Sequence, residues 1–300
     1  MRDIFIIHPG KANYPEVSAY KDFFSGSCTV LDGTLSDFMS LEGRQDWVAW
    51  CIMGFYPAKI DASVVIHDYR SLSVGAFVAA KDYIKKKFQP KPDLRIFQNE
   101  AMSSVMSFSD DVETLYLPMG VPSFIYNIEA TNNPLHKQKF CYIGEMSRER
   151  NFDKVLDAFV NNDQGGSIVL VGSPQKEIYE KYRHFPQLIF TGRVSQKEAL
   201  SIVKACAFSV CYFPWHRPHK FQAPTKLLEY MALGVSVICN DAPSNLRELE
   251  KFSYPATVSG DYVFGNNLSF DLTPPSAVKG ISWRDVIGGS GIYDALSVRG

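Results

Sequence analysis

Pro224-Thr225-Lys226-Leu227-Leu228-Glu229-Tyr230-Met231-Ala232-Leu233-Gly234-Val235-Ser236-Val237-Ile238 reads as a helix running into a buried strand. Proline suits the first turn of a helix, where its missing N–H would find no partner anyway. Gly234 suits the left-handed residue that closes a helix. The strand ends in the polar pair Asn240-Asp241. A helix start offers unbonded N–H groups and the positive end of the backbone dipole, a suitable seat for a diphosphate. Thr225 and Lys226 add a hydroxyl and a cation there. Glu229, three and four residues on, shares their face and is placed to accept bonds from two vicinal ribose hydroxyls. An ordinary amphipathic helix of a β-α-β unit, with Glu229 as a solvated charge, reads equally well on this stretch alone.

Outward from this segment the same alternation recurs. Short continuous apolar runs, the mark of parallel strands buried on both faces, occur at Ile4 to Ile7, Ser63 to Ile66, Arg95 to Phe97, Thr114 to Leu117 and Phe140 to Ile143. They continue at Ser167 to Val171, Leu188 to Thr191, Phe208 to Tyr212 and Val235 to Cys239. Between them, Phe152, Val155, Leu156, Phe159 and Val160 recur at helical spacing. Ser195-Gln196-Lys197-Glu198 has the form of a capping box. Strands alternating with helices predict an α/β fold with parallel sheets. The stretch from Gly120 to His136 holds Pro122, Asn132, Asn133 and Pro134 without periodicity and marks a boundary. The expected domains are 1–125 and 126–265, with a tail, 266–300, that returns to the first.

Two further strand ends add to the helix. Tyr142-Ile143-Gly144-Glu145-Met146-Ser147-Arg148-Glu149-Arg150-Asn151 runs from strand to glycine to basic residues ahead of a helix, and Phe190-Thr191-Gly192-Arg193-Val194-Ser195 repeats the strand-to-glycine turn. In this order, and with the Lys-Leu-Leu-Glu-Tyr-Met-Ala helix, the sequence resembles glycosyltransferase family 4 and its GT-B relatives over about residues 138–250. The resemblance implies a GT-B architecture, two Rossmann-like domains facing across a cleft. It also implies transfer of a sugar from a nucleotide-diphosphate donor to an acceptor hydroxyl. Carried over position by position, Glu229 holds the ribose and the Thr225-Lys226 helix start holds the diphosphate. Gly144 belongs to the donor-binding residues, Arg150 serves the phosphates, with Arg148 a neighbouring alternative, and backbone groups at Arg193 and Val194 meet the base. The other reading of Arg148 and Arg150 is a solvated cluster beside Glu145 and Glu149.

Two positions depart from the family pattern. Glu145 stands where many members have an arginine. Phe221, eight residues before Glu229, stands where many have a glutamate that touches the donor sugar. Lys220 or Gln222 could take over that contact.

In the first half, His67-Asp68-Tyr69-Arg70 follows the run Ser63 to Ile66, which places His67 and Asp68 at a strand's carboxyl end, where ligands of open α/β sheets bind. His67 is the candidate acid–base or donor-contact group and Asp68 its orienting partner; a structural pair is the alternative. The loop Pro9 to Pro15 should line the same cleft and lacks the Gly-x-Gly-x-x-Gly fingerprint of a dinucleotide site. Lys81, Lys85, Lys86, Lys87 and Lys91 cluster on and after a helix carrying Phe77, Ile84 and Phe88. That pattern fits either a solvated face or peripheral contact with an anionic membrane surface.

Composition bounds the remainder. The 300 residues are 46% hydrophobic and 21% charged, with a formal net charge of −1, so no overall attraction to nucleic acid is expected. Six cysteines without a Cys-x-x-Cys pair, and a start at Met1-Arg2-Asp3 with no long apolar leader, suggest reduced thiols in a cytoplasmic protein, peripheral to a membrane at most. No metal-ligand spacing appears, so a metal-independent enzyme is expected. It needs no cofactor beyond its UDP- or GDP-sugar donor. The acceptor implied by the resemblance is a saccharide or lipid-linked saccharide of bacterial surface polysaccharide or glycolipid assembly. The rival readings are a nucleotide-sugar-binding protein without transfer and a nucleotide-sugar epimerase on the same fold.

Overall fold

The computed structural model describes residues 1–10, 14–52, 54–162, 164–260, 262–265, 270 and 273–298. Lys11, Ala12 and Asn13 of the loop expected to line the cleft lie outside them. The chain divides into two compact units, one of residues 1–120, 221–223 and 282–300, the other of residues 121–220 and 224–281.

The first unit runs β1 (Ile4–Ile7), α1 (Pro15–Phe24), β2 (Val30–Gly33), α2 (Leu35–Met39), β3 (Val48–Ile52), β4 (Val64–Tyr69), α3 (Val78–Phe88), β5 (Leu94–Phe97), α4 (Glu100–Met106) and β6 (Thr114–Tyr116). Its sheet is parallel, in the order β2-β1-β3-β4-β5-β6. Ile4, Ile6, Ile7, Ala49, Trp50, Ile52, Ile66 and Ile96 are buried completely, as central parallel strands require.

The second unit runs β7 (Phe140–Ile143), α5 (Phe152–Asn161), β8 (Ile168–Val171), α6 (Lys176–Tyr182), β9 (Leu188–Gly192), α7 (Gln196–Ala205), β10 (Phe208–Cys211), α8 (Thr225–Leu233), β11 (Val237–Asn240), α9 (Pro243–Lys251) and β12 (Thr257–Ser259). The strand order β12-β11-β10-β7-β8-β9, all parallel, is the doubly wound Rossmann order. Its direction of winding reverses between β7 and β10, and loops leaving those two strands at their carboxyl ends part to form a crevice. Two short helices, α10 (Trp283–Gly288) and α11 (Ile292–Val298), then join the first unit. Ser282 opens α10 with a capping box to Asp285.

Local sequence explains the elements around that crevice. The apolar face of α5, with Phe152, Val155, Leu156 and Phe159 buried, packs into a core with Phe140, Leu170 and Phe208. Helix α7 starts on Ser195, whose hydroxyl accepts the Glu198 N–H. Helix α8 ends on Gly234 at φ 67°, ψ 43°, the left-handed closure its sequence predicts. Pro224 sits one place earlier than expected, at the cap rather than inside the first turn. Its carbonyl accepts the N–H groups of Leu227 and Leu228.

Candidate functional site

Helix α8 is pinned where the second sheet reverses. Tyr230 is fully buried; its hydroxyl accepts the Ile143 N–H of β7 at 3.3 Å and donates to the Val210 carbonyl of β10 at 3.5 Å. The middle of the helix therefore lies against the two strands that bound the crevice. The N–H groups of Thr225 and Lys226 precede the first intrahelical bonds and remain for a ligand. Both side chains are half-buried.

Glu229 is 5% exposed, and its two carboxylate oxygens have separate partners. Lys226 Nζ donates to Oε2 at 2.8 Å, and Gln196 Nε2 donates to Oε1 at 2.8 Å. A buried carboxylate is costly unless paired in this way, so Glu229 is not a solvated helix charge. Gln196, from the first turn of α7, is a site residue the sequence reading passed over. Its Ser-Gln-Lys-Glu context reads as a cap, and nothing local signals a partner 33 residues away.

The loop after β7 brings the basic residues. Arg150 is partly buried, with Nη1 3.7 Å from Glu145 Oε2 and its Nε enclosed without a hydrogen-bond partner. Arg148 is exposed, its backbone N–H bound to Gln175 Oε1 at 2.9 Å; the same Gln175 donates to Glu149 at 2.7 Å. Thus Arg150 has the acidic neighbour foreseen in the cluster reading, while Glu149 bonds to a glutamine. Gly144 follows directly on β7. After β9, Arg193 is exposed and Val194 half-buried, just ahead of the α7 cap.

The chain leaving β10 is held by Asn240, whose amide accepts the Phe213 N–H at 2.9 Å and donates to the Phe213 carbonyl at 2.8 Å. The loop ends near Lys220, which is exposed, and His219. The His219 ring lies edge-on to Phe213 and to His216, each 5.2 Å away between centroids, and Ser244 Oγ donates to its carbonyl at 2.6 Å. Burial, with Arg150 and His216 adding to it, pushes the His219 imidazole down to about 4. It is therefore a neutral group beside Arg150 at neutral pH, and a second residue the sequence reading left unassigned.

The first unit does not assemble a His67–Asp68 pair. Both residues lie inside β4, which runs on to Tyr69, rather than beyond its end. Successive strand residues face opposite sides of a sheet, and their partners differ accordingly. Gln89 Nε2 lies 3.1 Å from His67 Nδ1, and burial together with Arg95 pushes the ring down to about 4. Asp68 Oδ2 accepts from Tyr20 at 2.7 Å and Trp50 Nε1 at 3.0 Å, with Arg70 Nε 3.6 Å from its other oxygen. Burial raises the Asp68 carboxyl, and Arg70 opposes that shift. The strand continues through polar residues because the fold supplies buried partners for them.

Residues 126–254 match the family model of glycosyl transferases group 1. The second unit matches the group 1 glycosyl transferases. No curated protein matches the sequence. Among solved structures, HepE of Anabaena in complex with UDP superposes with a TM-score of 0.61 at 10% identity, covering 88% of this chain and 87% of that one. Sucrose-phosphate synthase of Thermosynechococcus elongatus gives 0.57 at 12% identity over 100% and 90% of the two chains. AviGT4, a glycosyltransferase involved in avilamycin A biosynthesis, gives 0.58 at 12% over 100% and 98%. The shared fold is that of the GT-B glycosyltransferases. Within the group 1 match, Phe221 is half-buried and packs against Tyr69, Leu72, Phe97, Met102 and Met106 of the first unit, and its carbonyl accepts from Asn99 Nδ2 at 3.0 Å. The position where the resemblance implies a sugar-contacting glutamate is used here for packing.

Proposed function

We propose that this protein transfers a sugar from a nucleoside diphosphate to an acceptor hydroxyl, with the donor held by the second unit. One observation carries the reading. The buried carboxylate of Glu229 is held by Lys226 and Gln196 one turn inside a helix start at the reversal point of a Rossmann-order sheet. The group 1 match and the UDP and UDP-glucose complexes of HepE support the same reading. In it, Glu229 accepts the ribose hydroxyls, Gly144 lets the backbone approach the ligand, and the turn at Arg193-Val194 meets the base of a UDP- or GDP-sugar. As the bond from the anomeric carbon to the diphosphate breaks, its electron pair leaves with the diphosphate. Lys226, Arg150, Arg148 and the N–H groups opening α8 neutralise that charge. His219 lies beside Arg150 as a neutral ring, and Lys220 follows it in the chain. An acceptor of the saccharide or lipid-linked saccharide class, in surface polysaccharide or glycolipid assembly, is supported by the family resemblance.

A second reading, a protein that binds the nucleotide without transferring sugar, is favoured by one observation: Phe221 occupies a packing role where a sugar-contacting carboxylate would stand. Calorimetric titration with UDP, GDP, ADP, CMP and dTDP, followed by hydrolysis assays on sugars of the nucleotide that binds, tests both. Binding with sugar release supports transfer, and binding without release supports the second reading. Binding of none of the five overturns both.

A further inference from the structure

Helix α3 turns its apolar side outward. Of its eleven residues only Asp82 is buried, while Phe77 at its cap is 84% exposed, Phe88 63%, Tyr83 58% and Ile84 42%. At 100° per residue, Phe77, Ile84 and Phe88 (i, i+7, i+11) form one stripe. The inward arc is Val78, Asp82, Lys85 and Gln89, three of them polar, the last in contact with His67. Surface helices ordinarily place the apolar stripe against the core. Here it is left in solvent, and Val74 before the helix is also 53% exposed.

Cations rim the stripe. Residues 81–91 hold five lysines and one acid, Asp82, in a chain whose net charge is −1. Lys81 Nζ is anchored on the Val74 carbonyl at 2.7 Å, fixing an ammonium beside the apolar stripe; Lys86 and Lys87 are exposed, and Lys91 pairs with Asp111 at 3.1 Å.

We propose that this face of α3 docks the protein on an anionic phospholipid surface, with the Phe77–Ile84–Phe88 stripe entering the interface and the lysines meeting lipid phosphates. A helix lying in an interface needs this combination of exposed rings and surrounding ammonium groups. A second copy of the chain fits poorly, since a symmetric contact would oppose two lysine clusters. The inference rests on the first unit alone and stands or falls independently of the nucleotide site.

The test is co-sedimentation of the intact protein with phosphatidylcholine vesicles and with vesicles containing phosphatidylglycerol. Binding to the anionic vesicles, weak binding to the neutral ones and release by salt are expected. At about 1 kcal/mol per lysine, the double variant Lys86→Glu/Lys87→Glu should lower partitioning at least tenfold. Phe77→Ser/Phe88→Ser should lower it comparably, with thermal unfolding unchanged because both rings are exposed. Failure to bind anionic vesicles overturns the proposal, as does equal binding to both vesicle types or unchanged binding of the phenylalanine variant.

Discussion

Glu229 and His67 show how differently single residues in this chain can be read. Glu229 sits three residues after Lys226, and that spacing alone predicts the contact observed at 2.8 Å. His67 offers no such local rule. Its partners, Gln89 and Arg95, come from the end of α3 and from β5. Because burial holds its ring down to about 4, the native state resists a proton that the unfolded chain accepts near 6.5. The unfolded state therefore binds more protons between those values, and the stability His67 contributes is full above about pH 6.5 and lost as pH falls toward 4. The ceiling on this loss is on the order of 3 kcal/mol. Urea denaturation at pH 7.5 and pH 5 should show a smaller acid loss in His67→Gln than in the wild type. Equal losses would show that His67 does not titrate in this way.

At the scale of elements, the strands whose runs are continuous and apolar were the legible ones. Ile4–Ile7 and Phe140–Ile143 begin and end where their sequences say, while β4 runs three residues further than its apolar run because Asp68 finds Tyr20 and Trp50. Edge strands β2 and β12 carry exposed residues and lack a buried run, so no apolar signal marks them. Strand β3, Val48–Ile52, is buried throughout, and its signal was present but unread. Helix α8 was legible at both ends through Pro224 and Gly234. At Gly234, φ is +67° and an added Cβ would lie 2.9 Å from the Ala277 backbone nitrogen. Gly234→Ala should therefore cost the left-handed penalty of about 1–2 kcal/mol, plus whatever the clash adds. Thermal unfolding checks this, and an unchanged midpoint would mean that the 277 segment yields freely.

For the whole molecule, the two units carry different kinds of information. The second unit holds the group 1 match, the Rossmann order and every residue assigned here to the donor nucleotide. The first holds six parallel strands, a buried Asp68–Arg70 pair and the outward-facing α3. Among the described residues no helix is long and apolar enough to cross a membrane. A ligand that binds only the folded chain, at a hundredfold excess over its Kd, adds about 2.7 kcal/mol of stability. A nucleoside diphosphate should therefore raise the unfolding midpoint of the intact protein. No rise with a nucleotide shown to bind would imply that the second unit unfolds apart from the transition observed.

The most direct measurement is calorimetric titration of the tightest-binding nucleoside diphosphate into wild type, Glu229→Gln and Glu229→Ala. Hydrogen bonds to a charged group contribute about 1.5–3 kcal/mol each. Both variants should therefore bind at least tenfold more weakly, with Glu229→Ala the weaker and the fold of each intact by circular dichroism. Unchanged affinity in both would contradict the assignment of the buried carboxylate of α8 to the donor nucleotide.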